Sequence, residues 1–568
     1  MKKTLLEILY KNHCKDNAPL YLSTVSGVIT TNKNIIKFVD NNVKEIDIIT
    51  TKSYQVNPNL GNREPIICET EVGNFGNSVG LRNPGLEVAL KDIKALRDNN
   101  LNAFLNVSVS ASTIEDFIIL CNAFNNLADS IELNFSCPHA SKGFGASIGC
   151  DINIASEYVR EIRKGLIDFN SLLFIKLTPN VDNIGEIAKE CVKNGADGIV
   201  AINTVGPVVH TDPVSKKPIL QNKLGGKGGK SGSWVYNRAI DCIKEIRRYI
   251  GDETPLIGMG GVDNGLKARE MVNAGCDAVG IGSAFARVKQ ANWSKYLSLV
   301  KEEYLTNVLV SNNFLIKERQ MEYIEMSVND INYYGKDTII IELNKDMDCK
   351  AGEFAFLWLP EVGEKPFTLA NDKPVTFVIK RRGEFTKALW DLKINDKLYV
   401  RGIYGKEIEN EKSKNAILIA GGTGVAVLPS LCRKLSKDKT LIRTFVGTTE
   451  ESAKDALLEY ALTPYGDFKC VCDNGIVARV LNEIDTLEIY EDTNIYLVGP
   501  EIFMAKASKK IIDRGFDKNK IYLSMEKNTR CGVGMCGECY CGESLTCENG
   551  TFVKYTYLEE YEPEMIKR

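Results

Sequence analysis

Histidine is scarce: the chain holds three, His13, His139 and His210, in 568 residues. A His-ligated metal centre or a Ser-His-Asp triad has little to draw on, so chemistry is expected from cysteines, lysines, amides and cofactors. Long apolar runs are missing too. No stretch reaches the roughly eighteen apolar residues that would cross a bilayer. Nor does one sign of charge dominate: 71 Lys and Arg stand against 74 Asp and Glu, a net charge of −3. That balance, with a pI near 6.0, gives no reason to expect nucleic acid or a membrane as partner. The opening MKKTLLEILYKNHCKDN has its apolar run broken by Glu7 and Lys11 and shows no small-residue cleavage site. It does not read as a secretory signal. Cysteine, by contrast, is plentiful. Seventeen are present, mostly scattered singly, which fits reduced thiols in the cytoplasm better than a disulfide framework.

At this length one core does not suffice, and about three or four domains are expected. The 44% hydrophobic and 26% charged content is that of an ordinary soluble globular chain. Near the C-terminus, Cys531, Cys536, Cys539 and Cys547 crowd into CGVGMCGECYCGESLTC. A C-x4-C-x2-C run followed by a further cysteine suits a [2Fe–2S] cluster, whose irons need four converging thiolates. Gly532, Gly534 and Gly537 would let backbone N–H groups turn toward the sulfurs. A zinc knuckle or disulfides are the alternatives, although zinc sites usually pair two short C-x2-C hooks. Cys541 lies close enough in sequence to compete as fourth ligand.

Between residues 20 and 285, eight short apolar runs alternate with amphipathic helical stretches: LYLSTV, EIDIIT, AFLNVSV, SIELNFS, LLFIKLT, DGIVAIN, PLIGMG and DAVGIG. Eight such runs predict a parallel sheet closed as a (β/α)8 barrel, within an α/β chain. Polar or glycine residues close several of them (Lys52, Asn106, Asn134, Lys176, Asn203, Gly260), at the end where such barrels carry active sites. Gly260-Gly261 and Gly282-Ser283 follow the last two runs, and Gly228-Gly229-Lys230-Ser231-Gly232 lies upstream. Such glycines bring backbone N–H groups up to a phosphate, or simply mark turns. The loop NFSCPHASKGFGASIGC, residues 134–150, places Cys137 before Pro138 in a glycine-rich segment. A thiol there, near Asn134, Asn203 and Lys52, could serve as acid or base toward a ring carbon, or be inert.

These stretches resemble the flavin barrel of class 1 dihydroorotate dehydrogenases and, more distantly, the pyrimidine-reducing domain of dihydropyrimidine dehydrogenase. The resemblance rests on Ser26-Gly27, Thr51-Lys52-Ser53, GNSVGLRNPG (76–85), LNFSCP (133–138), IKLTPN (175–180), AINT (201–204), GGKSG (228–232), IGMGGV (257–262) and GIGSAF (280–285). It implies FMN held by Ser26, Gly27, Lys52, Ser53, Asn106, Asn134 and Lys176. Its phosphate would rest on Gly229, Ser231, Gly232, Gly260, Gly261, Gly282 and Ser283. Lys52, Asn77, Gly80, Leu81, Asn134, Asn203 and Thr204 would contact the pyrimidine. Cys137 would exchange the proton at ring C5. His139 stands where these dehydrogenases usually have Asn, and SCPH with GFG following is closer to dihydropyrimidine dehydrogenase. Orotate and uracil both remain in view.

Past residue 312 the pattern changes. YIEMSV, DTIIIELN, EFAFLWLP, VTFVIKRR and DKLYVRG predict a small antiparallel barrel. ILIAGGTGVAVLPSLCRKL then reads as strand, glycine turn and helix, the first turn of a nucleotide-binding unit. The order resembles the ferredoxin reductase family, and more closely the electron-transfer subunit of class 1B dihydroorotate dehydrogenases. FAD would bind at Lys365-Pro366-Phe367-Thr368, where Lys replaces the family's usual Arg, with Gly383 and Thr386 at its pyrophosphate. Gly421, Gly422 and Gly424 would border a nicotinamide dinucleotide, NAD or NADP. Four domains are expected, at 1–312, 320–408, 409–520 and 521–568.

Together these resemblances imply a fused dihydroorotate dehydrogenase of pyrimidine biosynthesis, passing electrons from FMN through [2Fe–2S] and FAD to NAD. They also imply a possible homodimer through the barrel. The alternatives are uracil or thymine reduction by the same carriers, and a flavin redox adaptor without turnover.

Overall fold

The computed structural model describes residues 20–135, 148–448, 458–472, 479–488 and 490–567. It divides into two units, one running to Met321 and also taking in Val533–Glu538, the other comprising Glu322–Gly532 and Cys539 onward.

All eight predicted runs of the first unit become strands of one closed barrel. They are β1 (Leu22–Thr24), β2 (Ile48–Thr50), β5 (Phe104–Val109), β6 (Ser130–Asn134), β7 (Leu172–Lys176), β8 (Gly198–Ala201), β11 (Leu256–Met259) and β12 (Ala278–Ile281). The order is β1-β12-β11-β8-β7-β6-β5-β2, parallel throughout. Strands buried on both faces can be continuously apolar, which is why these runs lack alternation. The barrel is filled, not hollow: Ile48, Phe104, Phe174, Val200, Ile257 and Met259 pack in one cluster. Small residues make room for large ones, since a Cβ at Gly198 would lie 2.5 Å from the Phe174 ring.

A second sheet was not legible in the sequence. It orders β3 (Ile67–Glu71), β4 (Asn74–Asn77), β10 (Lys227–Gly232) and β9 (Val205–Val209) as β3-β4-β10-β9, with antiparallel pairing. GGKSG is therefore a strand and not a free loop. Its glycines answer close packing: a Cβ at Gly228 would lie 2.6 Å from the Asn77 carbonyl oxygen. At Gly232 it would lie 2.1 Å from the Gly73 carbonyl oxygen, with φ at +103° besides. Gly232→Ala is expected to cost about 2–3 kcal/mol from backbone strain and clash together, read as a lower thermal midpoint.

The first unit extends beyond residue 312 because two buried carboxylates tie its end down. Glu303 accepts hydrogen bonds from the N–H groups of Gly265, Val310 and Ser311 and from the Ser311 hydroxyl. Glu69 accepts from the N–H of Gln320 at 2.6 Å and of Met321 at 3.2 Å.

In the second unit, the runs expected to form a small barrel form a seven-stranded antiparallel sheet. Its strands are β13 (Tyr323–Tyr334), β14 (Thr338–Leu343), β15 (Phe354–Leu359), β16 (Gly363–Phe367), β17 (Asn371–Asp372), β18 (Val375–Lys380) and β19 (Lys397–Tyr404), ordered β16-β15-β19-β13-β14-β18-β17. The short β17 and β16 are edge strands that do not pair with each other. A six-stranded α/β sheet follows, ordered β22-β21-β20-β23-β24-β27. It contains β20 (Asn415–Gly421), β21 (Leu441–Thr448), β22 (Gly466–Cys472), β23 (Thr493–Val498), β24 (Ile521–Ser524) and β27 (Phe552–Lys554). Five strands are parallel and β27 is antiparallel to β24. The boundary expected at 520 thus falls in front of a strand of this sheet, and the C-terminal segment returns to it. Between them sits a small hairpin, β25 (Tyr540–Cys541) with β26 (Ser544–Leu545).

Candidate active site

A cavity opens at the C-terminal ends of the barrel strands, beneath β4 and β10. Residues far apart in sequence meet on its wall: Lys52 after β2, Asn134 at the end of β6, Lys176 at the end of β7, and Asn203 and Thr204 after β8. Asn77, Gly80 and Leu81, from and just beyond β4, also line it. So do Ser26, Gly27 and Ser53, then Ser231 and Gly232, then Gly260, Gly261, Gly282 and Ser283. Two expected residues do not. Asn106 is fully buried below, bonded to Thr50 Oγ1 at 3.1 Å and Glu132 Oε2 at 3.2 Å. Gly229 lies in β10, its carbonyl accepting from Asn77 Nδ2 at 3.4 Å. Cys137 and His139 lie outside the described residues.

The floor is a connected polar network. Lys176 Nζ stands 3.6 Å from Glu132 Oε1, with both side chains buried. Glu132 accepts from Ser108 Oγ at 3.0 Å, and Ser108 Oγ bonds Ser53 Oγ at 2.9 Å. Ser53 Oγ shares a hydrogen bond with Ser26 Oγ at 3.2 Å and accepts from Asn134 Nδ2 at 3.1 Å. Asn203 Nδ2 donates to Asn134 Oδ1 at 3.4 Å, and Asn203 Oδ1 accepts from the Thr204 N–H at 2.8 Å. Burial of this much polarity is tolerable because each group has a partner, and the chain of bonds fixes which way the two amides face.

Three glycine segments converge on one side. A Cβ at Gly261 would lie 2.7 Å from the Gly232 carbonyl oxygen, with φ at +75°. Gly282 follows β12 and leads into a short 3-10 turn, Ser283–Arg287. The cradle therefore depends on exposed backbone N–H groups more than on a helix dipole. Bare backbone on three sides is the shape a phosphate requires.

Sequence reading missed several wall residues. Val25, Ile67, Phe75 and Met259 supply apolar surface, and nothing distinguishes them from core in sequence. Arg82 and Lys230 also line the cavity. Both lay inside quoted motifs, and their cationic charge was the available signal. Among the described lining residues stand four cations, Lys52, Arg82, Lys176 and Lys230, and no carboxylate.

In the second unit, Gly421 ends β20 and Gly422 and Gly424 follow it; the neighbours of β20, β21 and β23, lead to opposite edges of the sheet. This is the switch point where open α/β sheets bind ligands. Lys365, Pro366 and Phe367 lie on β16, with Thr368 just after; the Phe367 ring stacks 6.3 Å from that of Phe385. Thr386 Oγ1 accepts from the N–H of Gly383 at 3.0 Å, capping the helix Glu384–Trp390.

Cys531, Cys539 and Cys547 are buried and meet at Cys547. Hydrogen bonds with Cys531 and Cys539, aided by burial, push the Cys547 thiol well above its ordinary value. No disulfide joins them. Even so, no group of three or more His, Cys, Asp or Glu among the described residues is arranged to hold a metal ion. Cys536 belongs with Val533–Glu538 in the first unit. Cys541 packs into the apolar core with Met504, Leu523 and Leu558, where burial pushes its thiol up to about 12. Gly532, Gly534 and Gly537 all have positive φ, as a tightly turned loop demands.

No helix among the described residues is long and apolar enough to cross a membrane. The family described as dihydroorotate dehydrogenase matches residues 12–298. The catalytic subunit of dihydroorotate dehydrogenase B (NAD(+)) from Methanocaldococcus jannaschii is 38% identical over 268 residues, 45% of this chain and 83% of that protein. The subunit of the same description from Methanothermobacter thermautotrophicus is 36% identical over 236 residues, 42% of this chain and 74% of that one. A solved structure, a DHODH from Eimeria tenella in complex with ferulenol, matches at 17% identity and a TM-score of 0.42, covering 52% of this chain and 84% of that one.

Proposed function

The chain belongs to the dihydroorotate dehydrogenase family, and from that premise we propose that it oxidises dihydroorotate to orotate in pyrimidine biosynthesis and delivers the electrons to NAD. The observation that carries this reading is the convergence of Lys52, Asn77, Asn134, Asn203 and Thr204 on one cavity beside a glycine cradle. FMN fits that donor set: Gly232, Gly261, Gly282 and Ser283 would hold its phosphate, and Lys176 its polar ring edge. Bound there, the flavin supplies a two-electron acceptor for hydride from ring C6.

This chain's own residues do the rest. Asn77, Asn134 and Asn203 carry amides that both donate and accept, as an imide edge requires. The network through Ser53 and Glu132 holds Asn134 and Asn203 in register before substrate arrives, so little ordering remains to be done on binding. Cys137 would take the proton from ring C5 as hydride passes from C6 to the flavin, leaving the C5–C6 double bond. The wall cations Lys52 and Arg82 favour a substrate that bears a carboxylate over neutral uracil, although Glu538 already stands 3.8 Å and 3.5 Å from them.

In the second unit, FAD would be held at Lys365–Thr368 and Gly383–Thr386, and the nicotinamide at Gly421–Gly424. Cys531, Cys536, Cys539 and Cys547 would hold a [2Fe–2S] cluster, which as a one-electron carrier links two flavins that each exchange pairs. Cysteine thiols without disulfides are the right donors for it.

The test is anaerobic bleaching of flavin absorbance by dihydroorotate, dihydrouracil and NADH added separately. Dihydroorotate and NADH are expected to bleach it, and dihydrouracil not. Bleaching by dihydrouracil alone would move the substrate to a neutral pyrimidine, and SCPH in the 134–150 loop is what favours that second reading. No bleaching by any pyrimidine, with NADH still effective, would leave a redox adaptor.

A further inference from the structure

The segment Val533–Glu538 is seated within the first unit. The Ile29 N–H donates to the Met535 carbonyl at 3.1 Å, and Asn32 Nδ2 to the Gly537 carbonyl at 3.4 Å. Met535 lines the cavity. A Cβ on Gly537 would lie 2.7 Å from Thr31 Oγ1, with φ at +69°, so the close seating needs glycine there. Beside it Glu538 brings a carboxylate to the cavity's rim. Its Oε1 stands 3.5 Å from Arg82 Nε and 3.8 Å from Lys52 Nζ, all three side chains largely buried.

The wall cations divide accordingly. Lys176 faces Glu132 in the floor, and Lys230 lies over the Trp234 ring at 4.4 Å. Lys52 and Arg82 share one carboxylate, that of Glu538, which is not itself a lining residue. A second carboxylate entering there meets two cations already partly neutralised, and like charges at such range repel strongly in a partly desolvated site.

We propose that Glu538 is an internal competitor for the substrate's carboxylate: it holds Lys52 and Arg82 until an anionic pyrimidine displaces it, and so sets the affinity for charged over neutral rings. The inference rests on the pyrimidine reading of the cavity. Displacement opposes anion binding without touching the imide edge, so the effect is selective for ligand charge.

The experiment is calorimetric titration of the purified full chain, wild type and Glu538→Gln, with orotate and with uracil. Glutamine keeps the shape and removes the charge. Orotate is expected to bind E538Q roughly tenfold more tightly, a change of about 1.4 kcal/mol, while uracil affinity moves less than twofold. In an R82Q background the gain from E538Q should shrink, since the two residues share the interaction. Unchanged or weaker orotate binding to E538Q overturns the inference but leaves the pyrimidine reading intact. An equal gain for both ligands overturns it as well, because charge would not be what Glu538 discriminates. Failure of orotate and uracil to bind either protein overturns both.

Discussion

Cys137→Ala is expected to slow flavin reduction by dihydroorotate by about 10²–10⁴-fold, the usual worth of a positioned acid or base, and to leave reduction by NADH unchanged. The expectation follows from the chemistry of ring oxidation. Hydride can leave C6 only as the C5 proton finds an acceptor, and the cavity wall offers no carboxylate or imidazole for it among the described residues. The resemblance to class 1 dihydroorotate dehydrogenases gives that role to the thiol of Cys137, in the 134–150 loop. Single-turnover bleaching under anaerobic conditions reads the step directly, and the NADH arm controls for loss of fold. Cys137→Ser should lie between, since a hydroxyl keeps the position but is a poorer base at neutral pH. Equal rates in wild type and alanine variant would remove Cys137 from the mechanism.

Arg401→Ala should have the largest effect on stability. The Arg401 side chain is fully buried, paired with Glu364 through Nε to Oε1 and Nη2 to Oε2, both at 2.7 Å. It also donates to the Cys531 carbonyl at 2.8 Å and the Arg530 carbonyl at 3.3 Å, and lies 3.8 Å over the Phe356 ring. Burial works against its charge, yet Glu364 beside it holds the guanidinium well above the ordinary arginine value. Alanine would strand a fully buried carboxylate, left with Tyr323 Oη as a hydrogen-bond donor at 2.6 Å. It would also remove a donor from two carbonyls at the start of the cysteine loop. Breaking such a pair costs about 3–5 kcal/mol. Lysine cannot reproduce the fork and should recover only part. Removing both charges, with Arg401→Met and Glu364→Gln, should be milder than R401A alone, because no unpaired charge remains. Chemical unfolding followed by near-ultraviolet dichroism measures the order of the three. A loss under about 1 kcal/mol for R401A would deny the pair its structural role.

The barrel was readable because its eight strands are short, apolar and buried on both faces, so each stands out against amphipathic helices. The glycine segments at 260–261 and 282–283 were readable for the same reason: they close strands. The sheet β3-β4-β10-β9 was not, since its strands are rich in glycine and polar residues and owe their form to close backbone approach. Gly232 against Gly73 is the plain case. The tie between Glu69 and the N–H groups of Gln320 and Met321 was not legible either, because the partners stand about 250 positions apart. Glu538 was invisible as a site residue. It is flanked by cysteines that claim attention, and its partners Lys52 and Arg82 precede it by more than 450 positions in sequence. Local pattern finds strands and turns, whereas long-range ion pairs emerge only from the fold.

One measurement bears most directly on the proposal that a single chain carries electrons from a pyrimidine to a nicotinamide. Purified protein is mixed anaerobically with dihydroorotate and NAD, and both products are followed by absorbance. The account expects orotate and NADH to appear together in equal amounts. Orotate formed without NADH, or neither product formed, would contradict it.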